Sequence, residues 1–241
     1  MTTIATAKRD SRMVGSRWRR LWPALPAVLA LAFLAYVLPP YLTFDPARSR
    51  IPPPAGIAAY YPVLVAHIVF ASIAMLAASV QIWTGLRQCH PTVHRWMGRV
   101  YVFGGVLPAA IAGLAIGAMS PFGPVVRASN MLLAVAWLAC TITGFRMGRQ
   151  RRLEEHRRWM IRSFVLTMSI VTNRVWAVVF VVVLSPQLTT TFNGNPLLLG
   201  QAVAGLSAWL GWVIPLLVVE WWLIDSMTSN AGRARAANAV A

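Results

Sequence analysis

Residues 61–86 read YPVLVAHIVFASIAMLAASVQIWTGL and contain no Asp, Glu, Lys or Arg. A helix needs roughly 20 apolar residues to cross about 30 Å of hydrocarbon, because each residue rises about 1.5 Å. The stretch is long enough, and it lacks the strict alternation of a membrane β-strand. It therefore predicts a membrane-spanning helix.

The rest of the chain repeats this pattern. It is 58% hydrophobic and only 12% charged, about half the charged fraction of a soluble domain. In lipid, only helices and closed barrels satisfy the backbone. We therefore predict an all-α integral membrane protein with a basic tail at 1–20, a transmembrane domain at 21–225 and a disordered tail at 226–241. The predicted spans are about 21–41, 61–86, 100–119, 128–147, 161–184 and 200–223.

The basic residues indicate the direction of these spans. Eighteen Lys and Arg residues fall in the two tails and in the connections after the second and fourth spans, against three on the other side. Cytoplasmic loops carry such an excess, so both termini are predicted to be cytoplasmic. Short basic clusters between apolar runs favour anionic lipid headgroups over nucleic acid as partners.

Two of the basic connections resemble each other. One ends in HRWMGR (residues 94–99) and the other in HRRWMIR (residues 156–162), and each follows a Gly-Leu-Arg or Gly-Phe-Arg triplet. This echo predicts a duplicated hairpin, with spans two to five as a pseudo-symmetric four-helix core and spans one and six beside it. The alternative is chance reuse of Arg and Trp, which favour membrane interfaces.

A family resemblance rests on the polar residues of these segments. The chain resembles a bacterial family of predicted membrane proteins known as domain of unknown function 2306, over roughly residues 60–225. The matching positions are His67, Gln81, Pro91, His94, Arg95, Gly98, Arg99, Tyr101, His156, Trp159, Met160, Arg162, Ser163, Arg174 and Glu220. The chain departs from the pattern at Ala71, Ser79 and Cys89-His90. The resemblance implies a bacterial cytoplasmic (inner) membrane protein and no particular activity.

Ionisable residues inside lipid are functional candidates because they are costly to insert. His67 lies roughly 9 Å from the outer end of the second span, and Arg174 lies in the outer half of the fifth. Together with Asn173, and with Gln81 on the His67 face, they could form a pocket for a carboxylate, a quinone oxygen or a haem propionate. The alternative is structural, with Arg174 anchored to carbonyls and His67 bonded to a neighbouring helix.

His94 and His156 occupy equivalent positions of the two hairpins. Two histidines on neighbouring helices can ligate a b-type haem, and nearby arginines can hold its propionates. Arg95, Arg99 and Arg162 are the candidates for that role. Quinone or lipid-headgroup contact and simple helix capping are the alternatives.

The two cysteines suggest little chemistry. Cys140 is predicted inside the bilayer and Cys89 in a connection, so a disulfide between them is not expected. Cys89 and His90 could join His94 and His156 around a soft metal ion such as copper or zinc. Pro91 should start the next helix, which would place His90 off the face of His94.

Three classes of function follow. The first is a redox-associated protein that holds haem or quinone, and the second is a transporter or small-molecule-binding protein that uses the His67–Arg174 layer. The third is a non-catalytic subunit or assembly partner of a larger membrane complex. The expected protein partner is another membrane protein or a second copy of the chain. Glu220 is expected to pair with an interfacial arginine, although a proton relay is an alternative. No phosphate-binding loop, dinucleotide fingerprint or nucleophile elbow is present.

Overall fold

The structure, a computed structural model, describes residues 24–54 and 56–240, apart from the side chains of residues 84, 86, 87 and 230–240. Every regular element in this part of the chain is helical. The α-helices are α1 (Ala24–Val37), α2 (Tyr60–Gln81), α3 (Thr84–Cys89), α4 (Pro91–Arg99), α5 (Leu107–Ala118), α6 (Pro124–Arg149), α7 (Leu153–Leu184) and α8 (Pro196–Val240). A π-helical segment, Val100–Val106, joins α4 to α5.

Five helical segments are long and apolar enough to cross a membrane. They are Tyr60–Gln81, Pro91–Ala118, Pro124–Arg149, Leu153–Gln187 and Pro196–Ser229. The predicted fold class, a helical membrane protein, is thereby confirmed. The first predicted span is represented by α1, whose 14 described residues cover only about 21 Å. Residues 1–23, which include the predicted basic tail, lie outside the described part of the chain.

Several predicted boundaries differ from the observed ones. The second span ends at Gln81 instead of residue 86, and the separate helix α3 follows. The third begins at Pro91, nine residues earlier than predicted, since proline at the first helical position loses no hydrogen bond. The last helix continues through residues 226–240, where a disordered tail was expected. This segment is rich in alanine, which has the highest helix propensity.

The second to fifth predicted spans form the core. Its buried residues come from α2, the π-helical segment, α5, α6 and α7: Ala74, Ala77, Ala78, Tyr101, Val102, Val106, Ala109, Ala110, Trp137, Cys140 and Leu166. The predicted four-helix core is therefore confirmed. Helix α1 flanks it through Ala30 and Leu34, which pack with Met75, and α8 packs along α7.

One glycine sets the distance between α2 and the π-helical segment. A Cβ atom built on Gly105 would lie 2.8 Å from the Cα atom of Ala74. Only glycine permits this approach, because the obstructing atoms belong to backbone. Pro108, at the start of α5, lacks an N–H and cannot bond back to the preceding turn. The π-helical segment lies directly before this break in the hydrogen-bond ladder.

The two hairpin connections have different local geometry. In the first, α3 occupies most of the connection between α2 and α4, whereas α6 and α7 are joined by residues 150–152 alone. Arg151 in that short turn has a φ of 61°. These two connections lie at one end of the bundle, which we term the arginine-rich end. The loops 38–59, 119–123 and 185–195 lie at the opposite end.

Candidate functional site

A partly open cavity of about 280 Å³ lies between the helices of the bundle. Most of its wall is apolar, and α1, α2, α5, α6, α7 and α8 all contribute to it. Its polar side chains belong to Tyr41, His67, Ser72, Asn130, Trp137, Thr167, Ser169, Asn173, Arg174 and Trp212. A mostly apolar cavity with a few convergent polar groups is the usual form of a small-molecule site, and such sites measure about 300–1,000 Å³.

The most polar part of the cavity wall lies towards the opposite end. His67 is seven residues from the start of α2 at Tyr60, which places it roughly 10 Å into the bundle. Asn130 lies roughly 9 Å along α6 from Pro124. Arg174 lies roughly 15 Å from the end of α7 at Leu184. The structure thus brings the predicted pair of His67 and Arg174 to the wall of one cavity.

His67 is hydrogen-bonded to a neighbouring helix. Its Nδ1 atom lies 2.8 Å from the carbonyl oxygen of Ala109 on α5. A carbonyl oxygen only accepts, so Nδ1 carries the proton. The neutral ring then presents Nε2 as an acceptor, and Nε2 has no hydrogen-bond partner within the described residues. One half of the imidazole therefore holds two helices together while the other half is available to a ligand.

Two glycines of α5 make room for polar residues of the cavity. The sequence Gly113-Leu-Ala-Ile-Gly117 predicts close helix contact. A Cβ atom on Gly113 would lie 3.2 Å from the His67 ring, and one on Gly117 would lie 3.1 Å from the Cβ atom of Asn130. The motif therefore positions the cavity wall in addition to packing the helices.

Arg174 lacks a counter-ion among the residues that the structure describes. Its neighbour Asn173 packs through its Cα atom against Gly211 of α8, where an added Cβ atom would come within 2.8 Å. Two other arginines towards the opposite end are satisfied by carbonyl oxygens, since Arg50 donates to Tyr36 at 2.8 Å and Arg127 donates to Ser120 at 2.9 Å. Arg174 makes no such bond within the described chain, so the predicted anchoring to carbonyls is not seen.

A buried cluster of hydroxyl groups adjoins the cavity. The Tyr101 hydroxyl lies 2.6 Å from Ser163 Oγ and 2.7 Å from Thr167 Oγ1. The Trp137 indole donates to Thr167 Oγ1 at 3.0 Å, and Thr141 Oγ1 lies 2.6 Å from Ser163 Oγ. Trp137 and Thr167 also line the cavity. The cluster therefore fixes three spans against one another at the cavity wall.

The role of this cluster could not be predicted from the sequence. The family resemblance points to Tyr101 and Ser163, and Ser163 and Thr167 share a stripe of the fifth span with Arg174, but no sequence pattern points to Trp137 or Thr141. Trp137 and Thr141 are four residues apart in α6 and Ser163 and Thr167 are four apart in α7, which places each pair on one helical face. That spacing is a usable signal only once the two helices are known to be neighbours.

Glu220 forms an ion pair at the arginine-rich end. Both carboxylate oxygens accept from Arg162, with Nη2 at 2.8 Å from Oε2. The guanidinium of Arg162 also lies over the Trp159 ring, 4.7 Å from its centroid. The expected pairing of Glu220 with an interfacial arginine is confirmed. Arg162 is thereby occupied in joining α7 to α8.

The two histidines of the hairpins have different surroundings. Gln81 Nε2 donates to the backbone carbonyl of His94 at 2.7 Å, which ties the end of α2 to α4. The Nδ1 atom of His156 lies 2.7 Å from the carbonyl oxygen of Gly144 on α6 and donates to it. The bond to the His94 carbonyl thus joins α2 to α4, and the bond of the His156 ring joins α6 to α7.

The other candidate ligands at this end lie at the surface. Arg95 and Arg99 are exposed, and Arg95 Nη2 donates to Thr92 Oγ1 at 3.4 Å. Cys89 is exposed and Cys140 is buried, and neither forms a disulfide. Among the described residues, no three His, Cys, Asp or Glu side chains are close enough to hold a metal ion. The predicted grouping of Cys89 and His90 with the two histidines is therefore not found.

Fold and cavity together define a polytopic helical membrane protein with a cavity between its helices. The profile of the family described as "Predicted membrane protein (DUF2306)" matches residues 64–223. The chain belongs to this family. Neither a curated protein nor a solved structure matches the chain.

Proposed function

We propose that the protein binds a small amphipathic molecule in its internal cavity, with the polar group of the ligand between His67 and Arg174. The observation that carries this proposal is that both side chains line one cavity of about 280 Å³. His67 is half-buried and Arg174 is exposed at the cavity edge, and each keeps polar atoms without partners within the described chain. Buried or membrane-embedded polar groups are normally hydrogen-bonded, so a ligand that engages them would complete the site.

The apolar wall supports an amphipathic ligand. Large side chains around the polar residues include Phe33, Leu64, Ile68, Leu133, Leu166 and Ile170. Such a surface favours an alkyl or aromatic body, at about 25 cal/mol for each Å² removed from water. A purely polar solute would leave this wall without a partner.

Tryptophan fluorescence tests the proposal directly, because Trp137 and Trp212 line the cavity. Bromine quenches indole fluorescence on contact, so 11-bromoundecanoic acid and its methyl ester serve as probes. We expect saturable quenching by at least one of them. Ala71 lines the cavity, and Ala71→Leu should abolish that quenching by filling space.

Ala115→Leu is the matched control, since Ala115 is exposed and lies off the cavity wall. The probes should quench the tryptophan fluorescence of this variant as they quench that of the unmodified protein. Quenching that rises linearly with probe, or that survives Ala71→Leu unchanged, would show that the probes only partition into the surrounding detergent or lipid.

A redox function through haem remains a prediction. His156 Nε2 is the atom that haem iron would take, because Nδ1 donates to Gly144. A reduced-minus-oxidised absorption spectrum of the purified protein tests it: a sharp haem band that disappears in His156→Ala would establish the redox function.

We further propose that the protein lies in the bacterial cytoplasmic membrane with its arginine-rich end in the cytoplasm. The excess of arginine at that end supports this orientation. The exposed Cys89 is a natural reporter there, whereas Cys140 is buried. A membrane-impermeant maleimide should label Cys89 in inside-out vesicles and leave it unlabelled in intact cells. Asn193→Cys in a Cys89→Ser background should give the reverse result, and labelling of Cys89 in intact cells would contradict the orientation.

A further inference from the structure

We infer that the ligand of this cavity carries an oxyanion with a hydrogen-bond donor beside it, on an apolar chain. This inference rests on the proposed function and names the chemical class of the ligand. Two side chains support it. Arg174 offers a positive charge, and His67 offers a lone pair.

The oxyanion follows from Arg174. The acidic residues with described side chains are Asp45, Glu154, Glu155, Glu220 and Asp225. None of them forms an ion pair with Arg174, whereas Arg48, Arg152 and Arg162 each have one. An arginine within a membrane span is costly unless it is paired. Its planar fork of five N–H donors matches a carboxylate or a phosphate.

The donor follows from His67. The hydrogen bond to Ala109 fixes the proton of the ring on Nδ1. In the neutral ring with its proton on Nδ1, Nε2 carries the remaining lone pair. A ligand with only acceptor atoms would leave that lone pair unsatisfied, while an N–H or O–H group on the ligand would bond to it.

The remaining polar groups are compatible with such a ligand. Asn130 and Asn173 line the same cavity, and each amide offers both a donor and an acceptor. Their side chains make no hydrogen bond within the described chain. These amides can therefore bond to either the oxyanion or the donor of the ligand. The preference for a charged group thus depends on Arg174, and the preference for a donor depends on His67.

Three matched probes test the inference. N-(11-bromoundecanoyl)glycine has a carboxylate and an amide N–H, its sarcosine analogue replaces that N–H by N-methyl, and its methyl ester removes the charge. Binding is measured by tryptophan quenching. The glycine compound should bind about three- to tenfold more tightly than the sarcosine compound. It should bind at least about tenfold more tightly than the ester.

Two variants assign these differences to residues. Arg174→Met should remove the preference for the acid over its ester and leave the preference for glycine over sarcosine. His67→Asn keeps an amide donor in reach of Ala109 while it removes Nε2, and it should equalise glycine and sarcosine. A preference for glycine that persists in His67→Asn would reflect the size of the methyl group and would overturn the role of His67.

The source of the oxyanion is distinguished by competition with two compounds that carry no bromine, undecyl phosphate and N-undecanoylglycine, against the brominated glycine compound. Relief of quenching at a lower concentration of the phosphate would indicate a lipid-like phosphate, and the reverse would indicate a carboxylate. Both results support an oxyanion. Equal binding of acid, ester and sarcosine compounds, if it is lost in Ala71→Leu, would overturn the inference and keep the proposed cavity function. No saturable binding of any probe would overturn both.

Discussion

His67 of α2 and Ala109 of α5 are joined by a hydrogen bond of 2.8 Å from the imidazole Nδ1 to the backbone carbonyl oxygen. The bond holds two core helices together beside the cavity and determines which ring nitrogen is left for a ligand. His67 therefore has the structural role that the sequence offered as one alternative, and the binding role remains part of the proposed function.

The structural half of this role can be separated by substitution. His67→Leu removes the donor to Ala109 and should lower stability by about 0.5–1.5 kcal/mol, a few degrees in the thermal midpoint for a chain of this size. His67→Asn should retain most of that stability. Midpoints from fluorescence-detected size-exclusion chromatography after heating would measure both. Equal midpoints for the two variants would show that the bond contributes nothing.

The hydroxyl cluster predicts a larger effect. Tyr101→Phe leaves Ser163 and Thr167 in a buried site, and each loses one hydrogen bond. Tyr101 is only 2% exposed, so water cannot replace the lost group without opening the core. We expect a loss of about 1–3 kcal/mol, seen as a lower thermal midpoint.

Tyr36→Phe is the matched control for this prediction. Tyr36 is 60% exposed, and its ring rather than its hydroxyl contacts Arg50. Its midpoint should match that of the unmodified protein. If Tyr101→Phe behaves in the same way, the cluster does not stabilise the fold.

The ion pair of Arg162 and Glu220 should contribute more than a surface pair. Their side chains are 19% and 34% exposed, against 54% and 40% for Arg152 and Glu155. Glu220→Leu should destabilise the protein more than the double variant with Arg162→Met does, because it leaves a half-buried charge unpaired. The double-mutant cycle should give a coupling of about 1 kcal/mol or more.

The exposed pair provides the comparison within the same chain. A double-mutant cycle with Arg152→Met and Glu155→Leu should give a coupling energy of about 0.2–1 kcal/mol, since solvent screens exposed charges. Equal coupling energies in the two cycles would contradict the assigned burial of Arg162 and Glu220.

Two adjacent glycines give opposite predictions. Gly105→Ala places a Cβ atom 2.8 Å from the backbone of Ala74, whereas the nearest atom to a Cβ on Gly104 is Val100 Cγ1 at 3.9 Å. We expect Gly105→Ala to cost about 1–3 kcal/mol through overpacking and to reduce the monodisperse fraction in detergent. Gly104→Ala should be neutral or slightly stabilising. Similar behaviour of the two variants would contradict the close contact of α2 with the π-helical segment.

Hydropathy predicted the helical membrane fold correctly, because it depends on patterns within single segments, and the sequence echo of the two hairpins predicted the four-helix core. Hydropathy also picked out His67 and Arg174, since a charge or an imidazole inside an apolar run is visible without a structure. Helix ends were harder to predict from the sequence, as α3 and the continuation of α8 beyond Asp225 show. Apolar content marks where lipid begins, whereas helices continue beyond the lipid wherever local propensity allows.

The hydroxyl cluster could not be predicted for a different reason. Its members are separated by up to 66 residues in sequence, and single Ser, Thr, Tyr and Trp residues are common in membrane helices. Only the neighbourhood of α6, α7 and the π-helical segment reveals that these side chains share one site. The sequence echo of the hairpins gave no comparable help, because the two connections differ in local geometry.

Photolabelling tests the central claim most directly. The probe is an N-acylglycine with a diazirine near the middle of its acyl chain. Light activates the diazirine while the probe is bound to the purified protein, and mass spectrometry then identifies the labelled residues. We predict labels on cavity residues such as Ile68, Leu133 and Ile170, with loss of labelling in Ala71→Leu. Labels confined to the outer face of α8, at Leu217 and Trp221, which are 62% and 73% exposed, would contradict a ligand site between the helices.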